Sequence, residues 1–315
     1  MNFVEPSVTL LTDDNPMKII EKAYRICYKS EDKMKNDSDR FITSLLYPSD
    51  PTIFPHTSPL AHRRIAMFVD HEIMHDITYY QKVSHNYHIE HNQYNFRSFR
   101  LTGNLRAFFD YVNSPIHQAV SAAARTAVNN LLAEQFPVLF KKREQSLTNS
   151  ERPGSDLYCA LDEYGRSYYT FHIVTTRDIL QQIARHTTIS INVESTRYCN
   201  YGKKGMTFVI PRPYDWCNHT DFSKYEDYAG DDSMGALFIR SAMQAEYDYN
   251  KALELGYPPE EARMLLPGSL KTELIATGTY DQWNHFTDLR SDRHAHPQMR
   301  YISDEIRTII LKDTI

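Results

Sequence analysis

The sequence predicts a mixed α/β fold, and three observations carry that expectation. Hydrophobic residues make up 41% of the 315 residues and charged ones 24%, the composition of a globular chain long enough to bury a sizeable core. Runs that alternate or cluster β-branched and aromatic residues, at 8–11, 168–174, 206–211 and 270–278, are interleaved with helix-period stretches. No run of about 18 apolar residues is present, so no transmembrane helix is expected.

The charge and cysteine content narrow the class. Net charge is −5, whereas a general nucleic-acid binder is basic, so nucleic acid is not the expected partner. Cys27, Cys159, Cys199 and Cys217 are scattered without a C-x-x-C and read as free thiols in a reducing compartment. The first residues lack a basic region and an apolar core, so no signal peptide is expected, and the expected location is the cytoplasm. Neither G-x-G-x-x-G nor G-x-x-x-x-G-K occurs, so a nucleotide would be bound without either glycine device.

In chain order, residues 8–11 form a strand, and 13–16 (Asp-Asp-Asn-Pro) start a helix striped by Ile19, Ile20, Ala23 and Ile26. Ser58-Pro59 marks a turn between His56 and His62, and no Cys or carboxylate stands at ligand spacing to make that pair a metal site. Across 63–135, His71, His75, His85, His88, His91 and His117 are read as surface histidines whose spacings fit no standard metal template, so no metal is expected. Residues 101–109 read as strand, turn and helix, and 116–140 as a helix. The polar run 141–156, with Pro153-Gly154, reads as an exposed loop.

The second half is more patterned. Residues 168–174 form a strand feeding a helix with Thr176 as cap, Asp178 in its first turn, and Ile179 and Ile183 inward. That helix is expected to end at Arg185-His186 and give way to an extended polar segment, because Thr187, Thr188, Ile189, Ile191, Val193 and Thr196 are stiff and β-branched. The density of donors from Gln182 to Arg197 suits a phosphate and a hydrogen-bonding heterocycle. A long helix over 232–255 closes at Gly256, and Pro258-Pro259 starts another that carries Arg263. Thr279 caps a helix over 280–289, and a last helix over 297–311 places Met299, Ile302, Ile306, Ile309 and Ile310 on one side.

The segment from Arg185 to Arg197 resembles the signature of flavin-dependent thymidylate synthases, R-H-R-x-x-S-x-N-E-x-S-x-R. Arg185, His186, Ser190, Asn192, Ser195 and Arg197 match six of its eight fixed positions, while Thr187 and Val193 stand where Arg and Glu are usual. Three more segments are similar in the same order. The run 56–62 resembles H-x-(S/T)-P-x-E-H with Ala61 for the acid. Gly256 to Pro267 resembles G-x-P-x-E-x-A-R-x-x-L-P, and Phe286 to Arg300 resembles F-x-x-L-R-x-x-x-x-A-x-x-x-(I/M)-R. The run 23–28 and the Gly103-Asn104-x-Arg106-Ala107 segment also resemble family elements, although Arg25 is equally read as a surface helix charge.

The resemblance implies a thymidylate synthase-complementing-type fold: a twisted central sheet flanked by helices, in one domain over 1–315 with a helical, His-rich insertion at about 63–156. It implies reductive methylation of dUMP to dTMP with methylenetetrahydrofolate as carbon donor, NADPH as reductant and FAD as mediator, in a homotetramer. A flavin-dependent C5-methylase of UMP and a non-catalytic nucleotide-binding relative are the alternatives. Arg290 is the implied catalytic arginine. Gln182, Arg185, Glu194, Ser195, Thr196, Arg197, Arg263 and Arg290 are the implied dUMP contacts. His56, Ser58, Arg185, His186, Thr187, Val193, Thr279, Tyr280, Asp281 and His285 are the implied FAD contacts. No cysteine occupies a position the family uses, so none is expected as a nucleophile.

Overall fold

The computed structural model describes residues 1–12, 15–34, 37–50, 52–53, 55–84, 88–95, 98–114, 121–143, 159–161, 168–224 and 232–313. Its strands and α-helices begin with β1 (Asn2–Val4), β2 (Ser7–Leu10), α1 (Pro16–Ile26), α2 (Ser38–Leu46), β3 (Arg64–Asp70), α3 (His71–Ser84), β4 (Ile89–Gln93) and β5 (Ser98–Asn104). Next come α4 (Leu105–Val112), α5 (Ala122–Gln135), β6 (Cys159–Leu161), β7 (Tyr168–Thr176), α6 (Arg177–Ile183), β8 (Ser190–Val193), α7 (Tyr201–Lys204) and β9 (Thr207–Val209). The last are α8 (Met234–Glu254), α9 (Pro259–Ala262), β10 (Lys271–Thr279), α10 (Tyr280–Arg290) and α11 (Pro297–Asp313). The mixed α/β class is as expected.

The chain forms two compact units. One comprises Met1–Asp13, Lys22–Met34 and Tyr168–Ile315, the other Asp14–Glu21 and Lys35–Ser167. In the first, an antiparallel sheet runs in the order β2-β7-β10-β8, and β1 pairs with β9 in parallel. Period-two alternation sorts its two faces. Tyr169, Phe171 and Ile173 of β7, with Leu274 and Ala276 of β10, pack against Ile179 and Ile183 of α6, Trp283 and Phe286 of α10, and the α11 stripe. Met299, Ile302, Ile306 and Ile310 are buried as the stripe predicts, with Ile309 at the margin. Trp283 donates from Nε1 to the Tyr169 carbonyl at 3.1 Å, so the largest buried side chain satisfies its one polar group. Ile275, one residue out of phase, joins Ala23 and Ile26 of α1 on the opposite face.

The second unit has an antiparallel sheet in the order β4-β5-β3-β6. The turn expected between strand and helix at 101–109 is absent: β5 runs to Asn104, whose side chain accepts from the Ala107 N–H at 2.9 Å and starts α4 directly. Gly103 lies inside the strand, where an added Cβ would stand 3.0 Å from the His88 carbonyl oxygen. The helix expected over 116–140 is shorter. Ser121 accepts from the Ala124 N–H at 3.2 Å and caps α5, which ends at Gln135. His85, His117 and most of the loop expected at 141–156 lie outside the described residues.

Candidate active site

The signature is built on α6. Thr176 caps it as expected, its hydroxyl accepting from the Ile179 N–H at 3.3 Å, and Ile179 and Ile183 anchor it in the core. The helix stops at Ile183, two residues earlier than expected, and Arg185, His186 and Thr187 stand in the connection to β8. The stiff segment after them is extended only over Ser190–Val193, where it pairs with β10 through Val193 opposite Leu274. Val193, in the place of the usual acid, packs against the apolar core.

Arg290 closes α10 and reaches back to this turn. Its Nε donates to His186 Nε2 at 2.8 Å, and one terminal nitrogen donates to the Gln182 carbonyl at 3.2 Å. His186 must be neutral to accept that bond. Burial, then the Arg290 charge, then His285 push its pKa down to about 4, so the ring proton belongs on Nδ1. The Phe286 ring holds the imidazole edge-on at 4.7 Å. A guanidinium has five N–H donors, and these two bonds leave the others available for a ligand.

Arg185, Arg197 and Arg263 are exposed, and none has a carboxylate partner among the described residues. Arg263 sits in a short 3-10 turn after α9 rather than in the expected helix. The Arg197 guanidinium lies 5.3 Å from the Tyr198 ring centroid, and Tyr198 in turn contacts Tyr28 at 5.3 Å. Ser195 accepts from the Arg197 N–H at 3.2 Å and donates its own N–H to the Cys27 carbonyl at 3.1 Å, which shapes the turn that also carries Thr196. Cys199 is buried, and burial raises the Cys27 thiol pKa.

Glu194 points the other way. It is 5% exposed, accepts from the Tyr201 hydroxyl at 2.8 Å, and stands 3.8 Å from Lys29 and 3.7 Å from Lys271. Lys271 also meets Glu273, which bonds His172 Nε2 at 2.8 Å. The His172 hydrogen bond, followed by Lys271, holds the Glu273 carboxyl at about 2 despite its burial. Sequence reasoning missed Lys29, His172, Tyr201, Lys271 and Glu273, because nothing local marks residues that meet only through the fold.

The remaining expected contacts divide between the units. Thr279 forms a full capping box with Gln282 at the start of α10, followed by half-buried Tyr280 and exposed Asp281 and His285. The helix start and, separately, the exposed Arg185 each offer donors of the kind that suit phosphate. His56 and Ser58 belong to the second unit, where Ser58 Oγ lies 3.0 Å from His56 Nε2. Burial, then Arg106, lowers the His56 pKa.

Exposed arginines without carboxylate partners among the described residues, with a histidine-held guanidinium, are chemistry that suits an anionic, ring-bearing ligand. Residues 166–314 match the family model described as Thymidylate synthase complementing protein. The flavin-dependent thymidylate synthase of Kosmotoga olearia is 31% identical over 133 residues, covering 42% of this chain and 57% of the relative. That of Haloarcula marismortui is 26% identical over 141 residues, with the same coverages of 42% and 57%. A "Probable flavin-dependent thymidylate synthase" of Paramecium bursaria Chlorella virus 1 is 24% identical over 209 residues, covering 64% of this chain and 92% of its own. The chain thus spans little more than half the length of the first two relatives. A solved UMP/dUMP methylase, PolB from Streptomyces cacaoi, is 25% identical, covering 46% of this chain and 68% of that chain, with a TM-score of 0.37. Among the described residues no helix is long and apolar enough to cross a membrane.

Proposed function

We propose that this chain methylates C5 of dUMP reductively to form dTMP, using methylenetetrahydrofolate, NADPH and FAD. The observation that carries the reading is Arg290 fixed by His186 and the Gln182 carbonyl inside the span that matches the family model. Uracil C5 is a weak nucleophile. A charged, planar donor on the N3/O4 side stabilises the negative charge that develops there as C5 attacks, and Arg290 keeps free N–H groups for that role. His186, held neutral, fixes the guanidinium without competing for its charge. Arg197 and Arg263 bind the nucleotide phosphate, with Ser195 and Thr196 shaping the turn beneath it. The side chain of Gln182 offers donor and acceptor to an amide-like ring edge.

Arg185, His186, Thr187 and the α10 start hold FAD, which when bound supplies the redox step between NADPH and the one-carbon unit. Thr187 lacks the positive charge usual there, so Arg185 bears more of the anionic cofactor's charge. A homotetramer with active sites between subunits belongs to the same reading. The test is dTMP formation by purified protein supplied with FAD, NADPH, methylenetetrahydrofolate and dUMP, with UMP in parallel. Turnover of dUMP supports the reading. Turnover of UMP alone replaces the substrate, and a folded protein that neither holds nor takes up FAD overturns it.

A further inference from the structure

The first turn of α3 reads His71-Glu72-Ile73-Met74-His75. Reading these histidines as ordinary surface residues passes over the H-E-x-x-H form of this pentad, which sets two imidazoles four residues apart on one helix face. The structure keeps them together. The His71 and His75 rings lie 5.9 Å apart between centroids, inclined by 36°. Both are exposed, as is Glu72, while Ile73 and Ile77 are fully buried and fix which way the helix faces. Asp70 accepts from the Ile73 N–H at 2.9 Å, which secures the start of the helix. Phe99 of β5 stands edge-on to the His71 ring at 5.8 Å and restricts its rotation on that side.

The same face borders an open depression of about 390 Å³ lined by His71, Glu72, His75, Asp76, Tyr79 and Ser121. Asp76 is committed to the fold, accepting from the Tyr111 hydroxyl at 2.6 Å and from the Ser121 N–H. Among the described residues no three His, Cys, Asp or Glu side chains are grouped as a metal-ligand set, so the protein offers a pair of nitrogens rather than a closed cage. Two nitrogens each about 2.0–2.1 Å from one ion lie at most about 4 Å apart. Rings at the observed separation reach that by side-chain rotation, without backbone movement.

We infer that His71 and His75 bind a divalent transition-metal ion of the class that imidazole favours, with Zn²⁺ the reference case. The other coordination positions face the depression and take water or an oxygen-bearing ligand. Glu72 borders the same space and accepts a hydrogen bond from metal-bound water. Its carboxylate, with those of Asp70 and Asp76, offsets the positive end of the helix, which alone would disfavour a cation. The site lies wholly in the second unit, on residues that the flavin reaction proposed above does not use.

The test uses untagged full-length protein, stripped with a chelator and titrated with Zn²⁺ by calorimetry. His71→Asn and His75→Asn should each weaken binding at one site by more than the roughly 10–100-fold that loss of a partner behind a ligand costs, and the double variant should lose that equivalent. Glu72→Gln should cost less than either. With Cu²⁺ as probe, paramagnetic resonance should show coupling to two nitrogens, reduced to one in each single variant. All of these positions are exposed, and circular dichroism confirms that the variants fold. A double variant that takes up Zn²⁺ with unchanged stoichiometry and affinity overturns the inference, as does wild-type protein that takes up none.

Discussion

Arg290 and Glu194 are both charged residues beside the turns that follow α6, and the fold treats them in opposite ways. Glu194 is turned inward, with Tyr201, Lys29 and Lys271 around its carboxylate. Arg290 is half-buried against a neutral imidazole and a carbonyl, and Arg185, Arg197 and Arg263 are exposed with no carboxylate partner among the described residues. A charge compensated within the fold contributes to stability and is withheld from ligands. One left uncompensated contributes little to stability and remains available to an anion. The resemblance names both as nucleotide contacts, but the geometry separates them.

The largest effect should come from Glu194. Glu194→Ala strands buried Lys271 with one fewer counter-charge and should cost about 3 kcal/mol. A urea unfolding midpoint close to wild type would break the contrast. Next is the acid stability of its neighbour Glu273. The folded carboxyl titrates at about 2 against an ordinary 4.5. Its stabilisation is therefore complete above pH 4.5 and fades as pH falls toward 2. Unfolding free energies of wild type and Glu273→Gln should differ by roughly 1–3 kcal/mol at pH 6 and converge near pH 2. A difference that stays constant with pH would remove the His172–Glu273 bond as its cause.

The outward arginines should show the reverse behaviour. Arg197→Ala and Arg263→Ala should leave stability within about 0.5 kcal/mol, while dUMP binding weakens by about 1.5–3 kcal/mol in equilibrium titration. Lost stability with unchanged binding would place these residues with Glu194. Thr187→Arg should give the smallest effect, with FAD affinity unchanged or modestly tighter. A clear loss of FAD from a folded Thr187→Arg protein would show that the threonine is fitted to its surroundings.

What the sequence revealed follows from how local each feature is. Thr176 and Thr279 were legible as caps because capping depends on residues within one turn, and the α11 stripe was legible because its spacing repeats. The turn expected within 101–109 is a strand through Gly103, because a glycine required by close packing looks the same in sequence as one required by a bend. The Ala-rich segment before Phe140 carried helix propensity but no clear boundary, and Ser121 and Gln135 set the limits of α5. At the site, the motif residues could be read, but the partner of Arg290 could not. His186 is 104 residues away, and only the packing of α10 beside α6 brings the two together.

The most direct test is Arg290→Ala, comparing FAD binding with dTMP formation at saturating dUMP. On the proposed function Arg290 acts on charge that develops in the transition state, so FAD should remain bound while dTMP formation falls on the order of 10²–10³-fold. Arg290→Lys should stay severely impaired, because it keeps the charge and loses the planar fork. Near-normal dTMP formation by a folded, FAD-loaded Arg290→Ala protein would contradict the account.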